Sequence, residues 1–280
     1  MLVNMSEILK PTLENHFAVP AFNTSSNMIL TASIEVAEEL NAPVIIEIHP
    51  DELRFVKESF VAAVRTEANR AKVPVCIHLD HGASFADTVW AIGCGFTSVM
   101  IDGSALPFEE NAALAKKVAE AAHAAGVSVE AELGTIGTMD GNEIHYTQPD
   151  EAKQFVEMTG VDTLAVAIGT RHGLYPKGLT PHLELELLAE LRKAVDIPLV
   201  LHGGSDNPDS EIEQACLIGI SKINISSDIK KAFYQKCREV LEDQSLREPN
   251  EIYPPCIEEM KKVMRHKFRL FHAEGKGTLY

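Results

Sequence analysis

The chain has 280 residues, a formal net charge of −16 and 45% hydrophobic residues. So acidic a chain carries no electrostatic footprint for nucleic acid or an anionic membrane surface, and no stretch approaches the roughly 18 apolar residues of a membrane span. Five scattered cysteines, odd in number and without a CxxC pair, point to reduced thiols in the cytoplasm rather than a disulfide framework.

The opening MLVNMSEILKPTLENH carries Glu7 and Glu14 and lacks the apolar run of a signal peptide. After it, short apolar runs alternate with amphipathic stretches. A strand is predicted over His16–Phe22 and a helix over Asn27–Leu40. Strands over Pro43–Ile48, Pro74–Asp80 and Ser98–Asp102 come next, then a helix over Asn111–Ala125. A strand over Val127–Leu133 runs into the polar loop Gly134–Pro149, of a length that usually serves function. A helix over Glu151–Thr159, a strand over Thr163–Ile168 and a helix over Leu183–Ala194 follow. A strand over Pro198–His202, a helix over Asp209–Ile218 and a strand over Ser221–Ile225 complete the series. Proline opens three strands, in NAPVII, KVPVCI and DIPLVL, where its missing N–H costs the ladder nothing. Eight such units favour a closed (β/α)8 TIM barrel over an open α/β sheet, and no GxGxxG follows the first strand. We expect one α/β domain over residues 1–280. Its C-terminal helical extension, about 249–280, either docks on the barrel or reaches a neighbouring subunit.

Three histidines stand where a predicted strand meets its loop: His81 in IHLDHGAS, His172 in AIGTRHGLYP and His202 in LVLHGGSD. Taken singly, each reads as a polar loop residue. Three at the carboxyl ends of three barrel strands read as an active site, because that rim is where barrel enzymes place their chemistry. Three neutral imidazoles with an open fourth position make a catalytic zinc site. Asp80 sits directly beside His81, and alternation places Cys76, His78 and Asp80 on one face. His78 is expected to pack inside the barrel. Asp102 and Glu132 close strands four and five. Each either accepts an imidazole N–H from a ligand, binds metal directly or at an auxiliary site, or serves only as a cap or turn. HGGS at His202–Ser205 and NISSD at Asn224–Asp228 follow strands seven and eight, the common phosphate-binding quarter of this fold. There Ser226 and Ser227 either cap the next helix or offer hydroxyls beside its positive N-terminus.

Together these residues resemble the class II, zinc-dependent ketose-bisphosphate aldolases, most closely the tagatose-bisphosphate branch. The likeness covers nearly the whole chain through VPAFN at Val19–Asn23, HLDH, SVMIDGS, VEAELG, GVDTLAVAIGTRHGLY, PLVLHGGSD and KINISSDIK. It implies Zn2+ on His81, His172 and His202, with Asp80 as acid/base at the aldehyde-side hydroxyl. It implies Asn224 at the enediolate end of a dihydroxyacetone phosphate unit. Gly173, Gly203, Ser205 and Ser227, with Asn23 and Ser226 nearby, would hold that unit and its phosphate. Na+ or K+ beside the phosphate and a homodimer or homotetramer are implied as well. The resemblance also places an acid after strand five that exchanges the C3 proton; Asp140 stands there, with Glu143 as the backup. Lys222 shares Asn224's face but receives no covalent role. Such chemistry fits the residues: retro-aldol cleavage leaves charge beside a carbonyl, which a Lewis acid stabilises, and needs a base at the C4 hydroxyl.

Two departures bear on substrate. Where tagatose-type relatives carry arginines for the distal phosphate, REPNEIYPP has Asn250 and Pro254, neither of which supplies a guanidinium fork; Arg247 is the nearest substitute. Strand two ends IEIHPDE, which is expected to bring Glu47 and His49 to the rim, and Arg171 precedes His172. These three are candidate contacts for the far end of the substrate, unless Arg171 merely pairs with Glu47 or Asp51. The expected reaction is cleavage of a ketose 1-phosphate lacking a distal phosphate, a class that includes longer or acidic sugars. Fructose- or tagatose-1,6-bisphosphate cleavage is the alternative, and a sugar-phosphate-binding or aldolase-stabilising subunit is the non-enzymatic one. A zinc hydrolase would want HxH on strand one, where PAFNTSS stands.

Overall fold

Pro43, Pro74 and Pro198 each stand one residue before a parallel strand, so the residue without an N–H precedes the ladder rather than opening it. The structure is a computed structural model and describes residues 1–138, 144–176 and 181–280. Its principal strands are β1 (Val19–Asn23), β2 (Val44–Ile48), β3 (Val75–Gly82), β4 (Ser98–Ile101), β5 (Ser128–Leu133), β6 (Thr163–Val166), β7 (Leu199–Leu201) and β8 (Ile220–Ile225). They pair in parallel in the order β3-β2-β1-β8-β7-β6-β5-β4, and β4 closes on β3. This is a (β/α)8 TIM barrel. Both faces of each strand are covered, which explains their near-continuous apolar runs.

Helices α1 (Asn27–Glu39), α2 (Pro50–Val56), α3 (Glu58–Arg70), α4 (Phe85–Cys94), α5 (Phe108–Ala124), α6 (Pro149–Thr159), α7 (Leu185–Ala194), α8 (Asp209–Ile218) and α9 (Ser227–Val240) pack outside. The C-terminal α10 (Pro249–Leu270) buries Ile252, Cys256, Met260, Met264 and Phe268, a stripe recurring every fourth residue. It docks on its own barrel, against α9 and α1. Phe268 meets Phe22 of β1 edge-on, with ring centroids 5.7 Å apart.

The N-terminal segment differs from expectation. Leu2–Val3 adds a short strand beside β3, and helices span Met5–Leu9 and Thr12–Asn15. His16 ends the second helix in the left-handed conformation, φ 47°, so β1 begins at Val19 rather than His16. No described helix is long and apolar enough to cross a membrane. All five cysteines are free.

Candidate active site

Adjacent residues in a strand normally face opposite ways, yet Asp80 and His81 both serve one cleft. A bulge near the end of β3 makes this possible. Leu79 pairs with Val99 and Gly82 with Ile101, so β3 carries one residue more than β4 across that interval. His81 absorbs it with φ 48°. A bulge of this kind re-aims a side chain at the rim of a barrel.

His81 lies beside His202 and His172, with ring centroids 4.6 and 5.1 Å away. One nitrogen from each of the three lies within 4.8 Å of the others, the spacing of a shared cation. The second nitrogens are engaged where it matters for tautomer. His81 Nδ1 is 2.9 Å from Asp102 Oδ2, and His202 Nε2 is 2.7 Å from Glu130 Oε1. Each carboxylate leaves the other nitrogen of its imidazole facing inward, and those two, His81 Nε2 and His202 Nδ1, lie 2.9 Å apart. Burial, with His81 beside it, pulls His172 down to about 4 and His202 well below the usual range. Both are therefore neutral donors at neutral pH. Burial works against a charge on His81, but Asp80 and Asp102 overcome it and carry the imidazole up to about 10. Without a metal a proton supplies the positive charge these carboxylates require; a metal ion would replace that proton. The donor set thus fits a divalent cation with nitrogen ligands.

Asp80 is held from two sides. Its Oδ2 accepts from Asn23 Nδ2 at 2.8 Å and its Oδ1 from Asn224 Nδ2 at 3.0 Å. Asn224 Oδ1 stays buried without a partner. Asp102 divides its oxygens: Oδ2 faces His81, while Oδ1 accepts from the Ser104 backbone and hydroxyl at 3.0 and 2.7 Å. The turn and the histidine contact therefore coexist. His81, Asp102 and Glu132 form a second grouping of metal-type donors. Burial, then the nearby Asp102, pushes the Glu132 carboxyl up to about 8.

These groups open on a cleft of about 740 Å³, which also exposes Asn23, His49, Gly173, Gly203, Ser205, Ser226 and Ser227. Gly203 has φ 64°, and a Cβ there would strike the Arg171 carbonyl. Ser226 precedes α9 but makes no side-chain cap. Its hydroxyl instead contacts Lys230 Nζ at 3.0 Å, so the helix N-terminus and the serines face the cleft.

One expectation is corrected. Glu47 does not reach the rim: it is fully buried, level with His78 in the strand register, 3.5 Å from Lys222 Nζ. Arg171 is not among the residues lining the cleft; its side chain lies against Gly137. Asp51 pairs with Arg54 at 2.9 Å. His78 packs inside the barrel as expected, 2.8 Å from Ser98 Oγ. Asp140 and Glu143 lie outside the described residues.

Three charged residues at or under the cleft were not anticipated. Glu130 shares Glu132's face by simple alternation in VEAEL. Lys230 stands one helical turn after Ser226, and Glu52 pairs with it at 2.6 Å.

The family model for class-II fructose-bisphosphate aldolases matches residues 3–276. Among solved structures, the YdjI aldolase of Escherichia coli K12 is 35% identical with a TM-score of 0.89, over 99% of this chain and 100% of that one. The fructose-bisphosphate aldolase of Campylobacter jejuni is 25% identical with a TM-score of 0.83, over 98% and 97%. The chain belongs to the class-II fructose-bisphosphate aldolase family and is an aldolase, a carbon–carbon lyase.

Proposed function

We propose that this aldolase cleaves a ketose 1-phosphate into dihydroxyacetone phosphate and an aldehyde that carries no phosphate, in the cytoplasm. The observation that carries the reaction is the convergence of three imidazoles beside a carboxylate clamped by two amides. His81, His172 and His202 would hold Zn2+, whose Lewis acidity stabilises charge developing beside the substrate carbonyl. Asp80 takes the C4 hydroxyl proton as the C3–C4 bond breaks and returns it in condensation. Asn224 offers an amide fixed by Asp80 and an unpartnered oxygen to the hydroxyls of the enediolate half. Gly173, Gly203, Ser205, Ser226 and Ser227 surround the phosphate, where helix N-terminal N–H groups supply a positive field that the acidic chain lacks. Na+ or K+ beside the phosphate would add to it. Asp140 is the acid we assign to the C3 proton.

The cleft's charge favours an aldehyde half without phosphate. Among the described residues, Lys230 is the only lysine or arginine lining it, and Glu52 already neutralises that charge at 2.6 Å. Asn250, Pro254 and Arg247 are exposed and do not line the cleft. A phosphate dianion at the far end would therefore meet Glu52 without a free guanidinium. His49, the remaining cleft residue on that strand end, suits hydroxyls or a carboxylate.

A coupled assay for dihydroxyacetone phosphate, run on paired ketose 1-phosphates and 1,6-bisphosphates with and without chelator, tests this. We expect chelator-sensitive release, with kcat/KM at least about tenfold higher on a 1-phosphate, equivalent to about 1.4 kcal/mol of transition-state discrimination. Preference for fructose or tagatose 1,6-bisphosphate would overturn the substrate assignment and keep the aldolase. Binding of these sugars without cleavage would favour a binding subunit instead.

A further inference from the structure

Barrel interiors are normally filled by branched apolar side chains. Here the layer beneath the three imidazoles is ionic. Glu130 of β5, Lys222 of β8, Glu47 of β2 and His78 of β3 are all fully buried. Lys222 Nζ lies 3.1 and 3.0 Å from the two Glu130 oxygens and 3.5 Å from Glu47. His78 Nε2 is 3.6 Å from Glu130. Burying such charges costs several kcal/mol per ion, and apolar replacements of equal volume are often as stable or more so. Stability alone does not account for the layer. Burial and the nearby Asp80 push the Glu47 carboxyl well above the usual carboxylate range, and Glu130 is the carboxylate closer to Lys222.

That pair ends on the site. Glu130 Oε1 is 2.7 Å from His202 Nε2, while His202 Nδ1 faces His81 Nε2 at 2.9 Å. We propose that Glu130 is a positioning residue: it accepts the Nε2–H of His202, fixes that tautomer and ring angle, and presents Nδ1 to the metal. Lys222 holds Glu130 in place through both carboxylate oxygens. Its ammonium is therefore structural and electrostatic, not a nucleophile. This inference rests on the three-histidine metal reading.

Metal-free wild type, E130Q, E130D and the charge-balanced double variant E130Q/K222M would be titrated with Zn2+ and Co2+ against a competing chelator, with thermal unfolding of each metal-free protein. E130Q removes the anion at nearly constant shape and is expected to raise the metal dissociation constant about 10- to 100-fold. The double variant should show the same loss while recovering the metal-free thermal midpoint, and its Co2+ visible spectrum should shift with His202's geometry. E130D keeps the charge with a shorter reach and should lie between. Wild-type affinity in a folded E130Q or double variant would overturn the proposal. So would failure of all three variants to fold, which makes Glu130 a residue the fold itself requires rather than one that positions His202. A wild type that binds no metal, or binds it equally after H172A, would instead sink the three-histidine reading itself.

Discussion

Replacing Asp80 by asparagine is expected to lower kcat by about 10²- to 10⁴-fold, the range for loss of a positioned acid/base. The fold and the metal content should survive, because Asp80 is not one of the three imidazoles. The geometry makes the substitution more than a charge deletion. Asn23 and Asn224 both donate to Asp80, one to each oxygen. An asparagine has one acceptor oxygen and one amide nitrogen, so one of the two would face a donor with a donor. A flipped Asn224 would also withdraw the oxygen it offers substrate. D80A removes both contacts and leaves two buried amides unpaired, which costs about 1–3 kcal/mol each. D80N should therefore be the more stable protein and an equally poor catalyst. Exchange of the C3 proton of dihydroxyacetone phosphate with solvent deuterium is the sharper measurement. That proton is not the one Asp80 handles, so D80N should retain exchange while cleavage is lost. Turnover of D80N within a few-fold of wild type, at equal metal content, would remove Asp80 from the mechanism.

The parts of this site that were legible in sequence are those set by short-range rules. Eight apolar runs, each ending in polar or glycine-bearing residues, declare the barrel and its rim, and His172 and His202 sit just where those runs end. Depth was not legible. Alternation correctly turns Glu47 inward, but whether it lies at the rim or one layer down depends on strand stagger, which only the pairing of Glu47 with His78 reveals. Glu130 is on a readable face, yet its partner Lys222 is 92 residues away, and a lone carboxylate inside a strand gives no hint of a buried ion pair. Asn4 and Glu7 do form a capping box, a local signal that the short first helix leaves in plain sight. The Leu2–Val3 strand has no such mark, since it pairs with residues over seventy positions along.

The bulge in β3 was the least legible feature, and Gly82 is where it can be tested. Strict alternation would send His81 away from Asp80 and leave the metal site one ligand short. The extra residue solves this only because the chain can close again immediately behind it. Gly82 makes that closure: it pairs with Ile101, and a Cβ at this position would overlap the backbone carbonyl of Met100 and crowd Leu79 and Thr88. A flexible side chain could yield, but a backbone carbonyl in the β3–β4 seam cannot move without opening the ladder. Gly82→Ala is therefore expected to cost about 1–3 kcal/mol of stability from overpacking. Its effect on the site should be larger. Displacement of His81 by even about 1 Å is enough to lower kcat/KM by roughly 10²-fold, and bound metal should fall with it. Gly93→Ala in α4 is the matched control, because nothing lies within 4 Å of a Cβ there. In the last turn of that helix the change should be neutral or stabilising by up to about 1 kcal/mol. Both proteins carry the same added methyl, so a difference between them reads the backbone geometry rather than the chemistry of alanine. If Gly82→Ala kept wild-type metal content and turnover, the close approach to Met100 would not be what holds His81 and Asp80 on one side of the strand.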